Sequence, residues 1–563
     1  MGKSSYDVIV VGSGVGGGTV AYALTKAGYR VALLEKGDFL KREAFSKDEL
    51  AYCRRDLLNP NPLEEFHTVE MFEGGEWVSR PSYERGVSFF NGTLVGGSSN
   101  VMSGMFHRMH PDDFRLKQCY GEIEGANIED WCIDYETLAP YYDAIEEIVG
   151  LSGVVEDAPF EPPRSSLNRL QPPTKENGIV QIFDSACASL ALKPLVTTRA
   201  ILSQSRGERE GCYYSNFCGS YGCSSGAKGS AREAMILPAL KSGLLTLLSH
   251  HHVIRVLSDS PSHVTGVEVV ETKSKKRKIL YGDMVVLGAQ AHESARLLLN
   301  SANRYHPYGL ANSSKEVGRN LIFSAGGWGE GVLSRDTYSE KTFHSLMQRG
   351  YFFNRSIKEW YGVDDWWYGH FKGGLIEFMF EHQNLIARAI KSLPQEGELL
   401  WGEALFERLR EVFIQSKKIR FELFCDWLPT NETFLSLDTH YKDIYGMPVG
   451  KIRIFEHPRN QEVGNFLAKR AVTILEKMGA EKIKVASSLY PPPNLIAGGC
   501  RFGKDPKTSV LNPECRTHDV ENLYVSDASF MPTGGSVPYT WTIYANALRV
   551  ADAMIEQLHR QKA

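Results

Sequence analysis

The chain has 563 residues, of which 42% are apolar and 23% charged, and its formal net charge at pH 7 is −4. This length predicts two or more domains, and the composition is that of a soluble globular protein. The small net charge excludes the electrostatic signature of nucleic-acid binding, and no apolar run is long enough for a transmembrane helix. Ten cysteines are too few for a disulfide framework, and the first strand begins too early to follow a signal peptide, so we expect a cytoplasmic protein.

The first part of the chain has the pattern of a strand, a glycine turn, a helix and a second strand that ends in an acid. Gly12, Gly14 and Gly17 stand in G-x-G-x-x-G spacing directly after an apolar run. In such a unit the first glycine permits the tight turn, the second lets backbone approach a pyrophosphate, and the third lets helix 15–27 pack on the strand. Glu35 follows the second strand, where its carboxylate can accept ribose hydroxyls. The segment predicts a site for the ADP half of a dinucleotide.

The next part of the chain mixes loops with predicted strands. Residues 38–95 are loop-rich and aromatic and predict a lid or a substrate-side excursion. Residues 96–99 (GGSS) form a turn suited to close contact with a flat ring. Residues 244–257 and 263–288 alternate apolar and polar side chains, as hairpin strands do, and the apolar end of the second stretch predicts a buried strand.

The later part of the chain changes character. Residues 320–460 are the predicted substrate domain, because aromatic residues are dense and 418–428 has the pattern of a sheet strand. Trp366 and Trp367 are candidates for stacking on a sugar ring. Residues 522–552 predict a strand, a Gly/Pro-rich turn and a long helix, the form in which a flavoprotein brings its C-terminal segment beneath the isoalloxazine ring.

Two groups of potential metal ligands need separate interpretation. Cys212, Cys218 and Cys223 are separated by gaps of five and four residues, with no fourth cysteine nearby. An iron–sulfur cluster would use thiolates in such a loop, but three ligands in this spacing favour a structured loop with free thiols. The neighbours in the run 250–252 (HHH) alternate between the two faces of a strand, so no metal site is predicted there.

Five segments, in this order, resemble the glucose–methanol–choline (GMC) oxidoreductases over nearly the whole chain. They are the turn at 12–17; GGSS at 96–99 followed by Arg108, His110, Pro111 and Phe114; VVLGAQAHESARLLL at 285–299; GGCRFG at 498–503 with Asp505, Pro506, Ser509 and Val510; and residues 522–552. Within the family the chain is most similar to the bacterial sugar and polyol dehydrogenase branch.

The resemblance implies an α/β fold in which a Rossmann-type FAD-binding domain is interleaved with a substrate domain built on an antiparallel β-sheet. The FAD-binding domain would comprise residues 1–160, including the lid excursion 38–95, and residues 161–320. The substrate domain would be mainly residues 321–485. Residues 486–563 would form the C-terminal FAD-binding and active-site segment.

The resemblance also implies FAD held at both ends. The implied contacts are Gly12, Gly14, Gly17 and Glu35 for the ADP half; Val253 for the adenine; Gly97, Ser98 and Asn100 beside the flavin ring; and Asp527, Ala528, Tyr539 and Thr540 for the ribitol and pyrimidine edge. Asn100 stands where some relatives carry a histidine bonded to the flavin, so non-covalent binding is expected. The dipole at the start of the last helix would favour the anionic reduced flavin.

The chain departs from the family at the two residues that handle the proton. Oxidising an alcohol by hydride transfer requires a group that takes the hydroxyl proton, and a neutral imidazole does this well near pH 7. The family places a histidine eight residues before the glycine matching Gly503, and a second histidine or an asparagine in the turn before the last helix. Here those positions are Leu495 and Pro538, and neither side chain can accept a proton.

Three interpretations of this departure remain open. In the first, the chain is an oxidoreductase whose base has moved: Tyr539 and Asn494 flank the altered positions, and His344 or His370 could reach in from the substrate domain. In the second, the substrate needs little proton abstraction. In the third, FAD is retained for a lyase-like or binding role.

We expect the first or second interpretation, with the alcohol group of a sugar, polyol or glycoside-like molecule as the hydride donor. The electron acceptor would not be a nicotinamide nucleotide. The sequence does not decide whether this acceptor is oxygen, a quinone or a protein. It also does not decide whether a small partner subunit is present.

Overall fold

The computed structural model describes the chain except residues 1–5, 53–60, 88, 90, 91, 165–168, 216, 349, 366–368, 396, 487–494 and 563. The strands are β1 Tyr6–Val11, β2 Val31–Leu34, β3 Thr68–Glu73, β4 Glu76–Pro81, β5 Leu245–Leu248, β6 His251–Ser258, β7 Val264–Glu271, β8 Arg277–Leu287, β9 Leu321–Ser334, β10 Arg355–Ile357, β11 Gly362–Asp365, β12 Gly369–Lys372, β13 Gly374–Phe380, β14 Pro394–Gln395, β15 Glu398–Leu399, β16 Ser416–Asp426, β17 Phe434–Lys442, β18 Pro448–Arg453, β19 Glu481–Ala486, β20 Ile496–Gly498 and β21 Leu523–Val525.

The helices are α1 Val15–Lys26, α2 Glu49–Tyr52, α3 Leu116–Tyr120, α4 Tyr135–Ile145, α5 Ile179–Ser189, α6 Leu237–Leu240, α7 Ala291–Asn300, α8 Glu340–Leu346, α9 Leu385–Lys391, α10 Gly402–Arg410, α11 Pro458–Lys477 and α12 Thr540–Lys562. No helix in the described part of the chain is both long and apolar enough to cross a bilayer.

The first sheet brings the two ends of the chain together. Its order is β5-β2-β1-β8-β7-β6, and β21 also pairs with β8. The strands β5, β2, β1, β8 and β21 run parallel, with Val8 opposite both Val31 and Met284, and Leu523 opposite Val285. Most of β1, all of β2 and β21 and the last four residues of β8 are buried apolar runs, as in a parallel sheet that is covered on both faces. Helix α12 packs against α1, so the N-terminal motif and the C-terminal helix share one layer.

The second sheet is antiparallel and lies in the predicted substrate region. Its order is β10-β13-β16-β9-β19, with β20 paired to β9. Because β20 comes from the C-terminal segment and its residues 496–498 pair with 321–323, this segment connects both sheets. The predicted fold class is confirmed: a dinucleotide-type sheet is interleaved with an antiparallel one. The predicted domain boundaries stay a prediction.

Part of the excursion 38–95 forms ordinary sheet structure. Strands β3 and β4 make a hairpin, and β3 pairs in parallel with β18 in the small sheet β17-β18-β3-β4. Backbone hydrogen bonds therefore hold residues 68–81 to the later part of the chain.

The prediction of hairpin strands over 244–257 was wrong for its first part. Strand β5 pairs in parallel with β2, and only β6, β7 and β8 form the antiparallel meander. Alternation of apolar residues indicates a half-buried strand but does not set its direction. The direction follows from the helix α6 that returns the chain across the sheet before β5 begins.

The contact between α1 and the sheet yields a paired prediction. A Cβ at Gly17 would lie 2.0 Å from the Gly12 carbonyl oxygen, whereas a Cβ at Gly14 would meet nothing within 4 Å. We expect Gly17→Ala to lower the free energy of unfolding by about 1–3 kcal/mol or more, as overpacking does. Gly14→Ala has a compatible φ of −66°, so it should leave the stability of the FAD-free protein nearly unchanged. Denaturant unfolding of both FAD-free proteins measures this difference, and equal losses would contradict it.

Candidate active site

A cleft opens at the carboxyl edge of the first sheet and continues to the start of α12. Its wall is formed by five groups of residues: the glycine turn 12–16; residues 34–36; residues 97–99; residues 251–254 and 288–291; and the C-terminal residues Leu495, Asp527, Ala528, Tyr539 and Thr540. The predicted contacts for both ends of FAD therefore lie on one continuous surface, with the exceptions of Gly17 and Asn100.

The glycine turn has the geometry that its spacing predicts. Gly12 has a φ of +89°, which strongly favours glycine. Gly14 faces open space, which leaves the backbone accessible to a ligand beside the N-terminus of α1. Gly17 lies behind the turn, where it permits contact between α1 and β1 and does not line the cleft.

Glu35 is held at the end of β2 by donors that the spacing did not reveal. Its carboxylate accepts the Ser13 hydroxyl at 2.6 Å, the Ser13 amide at 3.3 Å and the Gly37 amide at 2.9 Å. Burial raises the pKa of Glu35, and these donors counteract the rise. Ser13 also accepts the Gly96 amide at 3.0 Å. Ser13, an unspecified position of the motif, thus ties Glu35 to the 96–99 turn.

The turn after Gly96 places backbone against the glycine motif. Gly96 and Gly97 have φ values of +95° and +56°, and a Cβ at Gly97 would lie 3.1 Å from the Gly14 Cα. Ser98 lines the cleft, and its hydroxyl accepts the Gly92 amide at 2.9 Å.

Asn100 was expected beside the flavin ring, but its side chain does not line the cleft. Its amide donates to the carbonyls of Val95 and Gly97, at 3.0 and 2.9 Å, and the side chain is buried away from the cleft. Asn100 therefore stabilises the turn through backbone carbonyls. Val253, by contrast, lies on the cleft wall in β6, as expected.

Asp527 is fixed by four donors beside the N-terminus of α7. Its carboxylate accepts the Gln290 amide at 3.1 Å and the Ser529 amide at 2.9 Å, together with the hydroxyls of Ser294 and Ser529. Burial raises the pKa of Asp527, which the four donors oppose. This arrangement makes Asp527 a rigid part of the wall rather than a mobile acid.

Tyr539 is the polar side chain at the altered end of the cleft. It is 2% exposed, and its hydroxyl has no hydrogen-bond partner among the described residues. Burial raises the pKa of Tyr539, so the phenol stays protonated at neutral pH. A protonated phenol is a poor general base, but it can hydrogen-bond to a bound molecule. An unpartnered buried hydroxyl on the wall is what a site completed by a cofactor or substrate would contain.

The two positions at which the family resemblance places proton-handling residues carry apolar side chains. Leu495 lines the cleft, and Pro538 is buried in the turn next to Tyr539. Asn494, Trp366 and Trp367 lie outside the described residues.

Neither histidine proposed from the substrate domain is among the described residues that line the cleft. His344, in α8, lines a second cavity between α8, α9 and the start of β16. His370 lies 3.1 Å from the Cys119 carbonyl and stacks on Tyr120 at the surface. The structure therefore does not bring His344 together with Tyr539, because β12 and α8 direct both histidines elsewhere.

The three loop cysteines pack as small apolar residues. Cys212, Cys218 and Cys223 lie against the cluster of Ile201, Leu202, Ala227 and Phe352. Burial raises the pKa of Cys212 to about 12 and also raises that of Cys218, whereas at Cys223 the nearby Lys228 and hydrogen bonds outweigh burial and lower the pKa. Their sulfur atoms do not form a group of three donors within 4.8 Å of one another in the described structure.

Such a group of donors does occur elsewhere in the described chain, at His67, His292 and Glu293. His67 Nε2 lies 3.2 Å from one Glu293 oxygen, and the Arg296 guanidinium lies 3.3 Å from the other. Burial lowers the pKa of His292 to about 3, so its ring is neutral. The Arg296 guanidinium also pairs with Asp443 at 2.5 Å, so the carboxylates of Glu293 and Asp443 share one cation.

A buried charged cluster supports the turn that carries Tyr539, and sequence reasoning missed it. Lys372 bonds to Asp113 and lies 3.2 Å from Asp426, and the Tyr361 hydroxyl donates to Asp113 at 2.6 Å. The Ser536 hydroxyl lies 3.1 Å from Asp426 Oδ2. Because the members come from four distant segments, no motif spacing could reveal them.

Two profiles of the family described as GMC oxidoreductase match the chain, one over residues 6–324 and the other over residues 429–547. They span more than half of the sequence, and the chain belongs to the GMC oxidoreductase family. It is accordingly an FAD-dependent oxidoreductase that acts on alcohol groups.

Two relatives are similar over nearly their whole length. The chain is 29% identical to a 2-methyl-1,2-propanediol dehydrogenase of Mycolicibacterium austroafricanum, covering 97% of this chain and 94% of the relative. It is 27% identical to a paromamine 6'-oxidase of Streptomyces fradiae, covering 98% and 92%. A solved formate oxidase from Aspergillus oryzae has the same fold, with a TM-score of 0.63 and 15% identity over 99% of both chains.

The buried cluster predicts that a substitution of Lys372 lowers the free energy of unfolding by an amount that depends on pH. Lys372→Met would leave Asp113 and Asp426 buried without their cation, which costs about 3–5 kcal/mol of the free energy of unfolding. Burial raises the pKa of Asp426, so the folded variant favours the protonated carboxyl. A carboxyl with a raised folded-state pKa loses its contribution to stability as the pH rises. The defect should therefore be larger at about pH 8 than at about pH 5.

Urea unfolding at the two pH values measures this effect. The matched control is Lys482→Met, because Lys482 is 61% exposed and pairs with Glu411. That variant should change the free energy of unfolding by less than about 1 kcal/mol. A pH-independent loss in Lys372→Met would contradict the assignment.

Proposed function

We propose that the chain oxidises a hydroxyl-bearing carbon of a sugar, polyol or glycoside-like molecule, with non-covalently bound FAD as the hydride acceptor. The observation that carries the proposal is the continuity of the cleft from the glycine turn to Tyr539. The names of the two relatives refer to 2-methyl-1,2-propanediol and to paromamine, and the diol in the first name supports a hydroxylated substrate. The comparisons give no support to a lyase-like role.

The cleft residues divide into two groups of FAD contacts. The Gly12–Gly14 turn and the amides at the start of α1 would hold the pyrophosphate, with Glu35 on the ribose and the Val253 backbone at the adenine. Gly97, Ser98, Asp527, Ala528 and Thr540 would hold the flavin end. When bound there, FAD supplies a two-electron acceptor at N5 of its ring.

Non-covalent binding is supported by the chemistry of this wall. Asn100, at the position where some relatives carry a linking histidine, has its amide turned toward backbone carbonyls. An amide is also a poor nucleophile for forming a covalent link.

The proton of the substrate hydroxyl must leave by a route other than the usual histidine. Leu495 and Pro538 cannot accept it, and the protonated Tyr539 phenol is suited to orienting the substrate or the cofactor. Asn494 stays a candidate for a polar contact at the same end. The alternatives are solvent as the final acceptor and a substrate that needs little help in losing its proton. Reoxidation would use an acceptor other than a nicotinamide nucleotide.

The first test is anaerobic reduction of the purified holoenzyme by a panel of sugars, polyols, aminoglycosides and simple alcohols. We expect loss of the oxidised-flavin absorbance with one polyhydroxylated class, followed by recovery with an artificial dye. Acid denaturation of the same preparation should release all of the flavin into solution. A flavin that dithionite reduces but no alcohol bleaches would contradict the proposal, and flavin left on the polypeptide would contradict non-covalent binding.

The role of Tyr539 is tested separately. Tyr539→Phe removes a hydroxyl that has no partner among the described residues, so we expect kcat/KM to fall about three- to tenfold with FAD content unchanged. The matched control is Tyr544→Phe in the first turns of α12, because the Tyr544 hydroxyl already bonds to the Gly229 carbonyl at 3.1 Å. The control should affect stability rather than turnover. Equal rates for Tyr539→Phe and the parent would remove Tyr539 from the reaction.

A further inference from the structure

Asp426 is a buried carboxylate at the end of β16, next to the turn that carries Tyr539. Its side chain is 7% exposed. Its Oδ2 lies 3.2 Å from Lys372 Nζ and 3.1 Å from the Ser536 hydroxyl. Its Oδ1 is also buried and has no hydrogen-bond partner among the described residues. A buried acceptor without a partner is uncommon in folded proteins, and a catalytic role is one of its physical explanations.

The strand register places Asp426 on the same sheet face as Leu495. In the antiparallel sheet Asp426 pairs with Ser324, and on the other side of β9 Ile496 pairs with Phe323. The next position in this register sets Leu495, which lines the cleft, opposite Ser324. Directly opposed residues of neighbouring strands point to one face. Ser324 therefore stands between Leu495 and Asp426, one strand spacing of about 4.8 Å from each.

The turn that carries Tyr539 packs on this same face. Ile322 is two residues from Ser324 in β9, so both side chains point to one side of the sheet. A Cβ at Gly534 would lie 3.6 Å from Ile322 Cδ1 and 3.5 Å from Tyr539 Cε1. The Ser324 hydroxyl and the Asp426 carboxylate therefore face the end of the cleft at which Tyr539 lies.

The cluster around Asp426 contains one cation and two carboxylates. Lys372 pairs with both Asp113 and Asp426, and the three side chains are at most 7% exposed. Burial raises the pKa of Asp426, and the negative charge of Asp113 raises it further, whereas Lys372 lowers it. A proton taken up by Asp426 would leave one cation and one carboxylate, which balances the charge of the cluster.

The nearest other titratable groups are uncharged near pH 7. Burial raises the pKa of the phenols and the thiol and lowers the pKa of the imidazole in the following set: Tyr361, Tyr120, Cys425 and His110. Glu456 differs from them, because burial raises its pKa to about 7. Glu456 acts on Cys425, whose side chain points to the opposite face of β16 from Asp426. Glu456 therefore serves as a control for effects of pH.

We propose that Asp426 is the final acceptor of the substrate proton and that the Ser324 hydroxyl relays it. The inference rests on the proposed function, the oxidation of an alcohol with FAD as the hydride acceptor. As the substrate C–H bond breaks, the hydride carries its electron pair to that acceptor. The O–H proton moves to Ser324 while Ser324 passes its own proton to Asp426, so a carbonyl and a neutral carboxyl form. The excess negative charge of the cluster favours this transfer.

Flavin reduction in the holoenzyme tests the acceptor. Asp426→Asn leaves Lys372 and Asp113 as a balanced pair, so the variant should fold and keep its FAD. Stopped-flow reduction by the alcohol found in the substrate panel should slow by about 10²–10⁴, with reduction by dithionite unchanged. The parent rate should rise with pH as Asp426 loses its proton, and this rise should be absent in Asp426→Asn. The matched control Glu456→Gln should keep both the rate and the rise.

The relay and the proton affinity have their own measurements. Ser324→Ala should slow reduction by about tenfold or more, and Ser324→Thr should restore part of the rate because it restores a hydroxyl. Urea unfolding of the FAD-free protein needs no turnover. A carboxyl with a raised folded-state pKa loses its contribution to stability as the pH rises. The urea midpoint of the parent should therefore fall relative to that of Asp426→Asn between about pH 5 and about pH 8.

The outcomes separate this inference from the proposed function. Equal reduction rates for the parent and Asp426→Asn, or a rise with pH that persists in that variant, would overturn the inference and leave alcohol oxidation standing. A difference in urea midpoint that is independent of pH would overturn it as well. If Asp426→Asn loses its FAD, equal rates for Ser324→Ala and the parent would reject the relay. A parent flavin that no alcohol reduces would remove the proposed function and this inference together.

Discussion

Backbone-to-backbone packing around the glycine turn is the constraint on which the rest of the structure depends. A Cβ at Gly16 would lie 2.3 Å from the Ser526 carbonyl oxygen, and a Cβ at Gly288 would lie 2.7 Å from the Gly17 amide nitrogen. Three segments from the beginning, middle and end of the chain thus approach at distances that only glycine permits. This contact places β1 and β21 on opposite sides of β8 and brings the start of α12 to the same cleft as the start of α1. The two helix termini then direct their amides toward one elongated ligand.

Polar contacts then fix the wall that this packing creates. Ser13 links Glu35 to the Gly96 turn, and Asp527 gathers four donors from α7 and its own turn. At the far end, the Lys372 cluster connects the antiparallel sheet to the turn before Tyr539. Each group is buried, so each must be satisfied internally, and together they hold the cleft in one shape before any ligand arrives.

Most of the residues predicted to contact FAD line the cleft. The two positions at which the family resemblance places proton-handling residues are Leu495 and Pro538, and both side chains are apolar. Imidazole catalysis of this kind contributes about 10²–10⁴ in rate, which a more acidic or better oriented substrate hydroxyl can offset. The buried Tyr539 hydroxyl has no partner among the described residues and stays protonated, so it is available for the orienting contact that we propose. Absence of the histidine is therefore compatible with a redox enzyme.

The sequence by itself determined the family and the fold class, and it predicted a set of FAD contacts most of which line one cleft. Those features depend on local spacing: Gly12 and Gly14 at a turn, Glu35 at the end of a strand, and Asp527 and Tyr539 before a long helix. It also identified Leu495 and Pro538 as departures. Local spacing could not show that Asn100 turns inward, that β5 runs parallel, or that His344 lines a separate cavity, because side-chain direction and strand partners depend on distant segments. The contacts of Ser13, Lys372 and Asp426 were decided only by the tertiary structure, since burial and charge pairing arise when remote parts of the chain pack together.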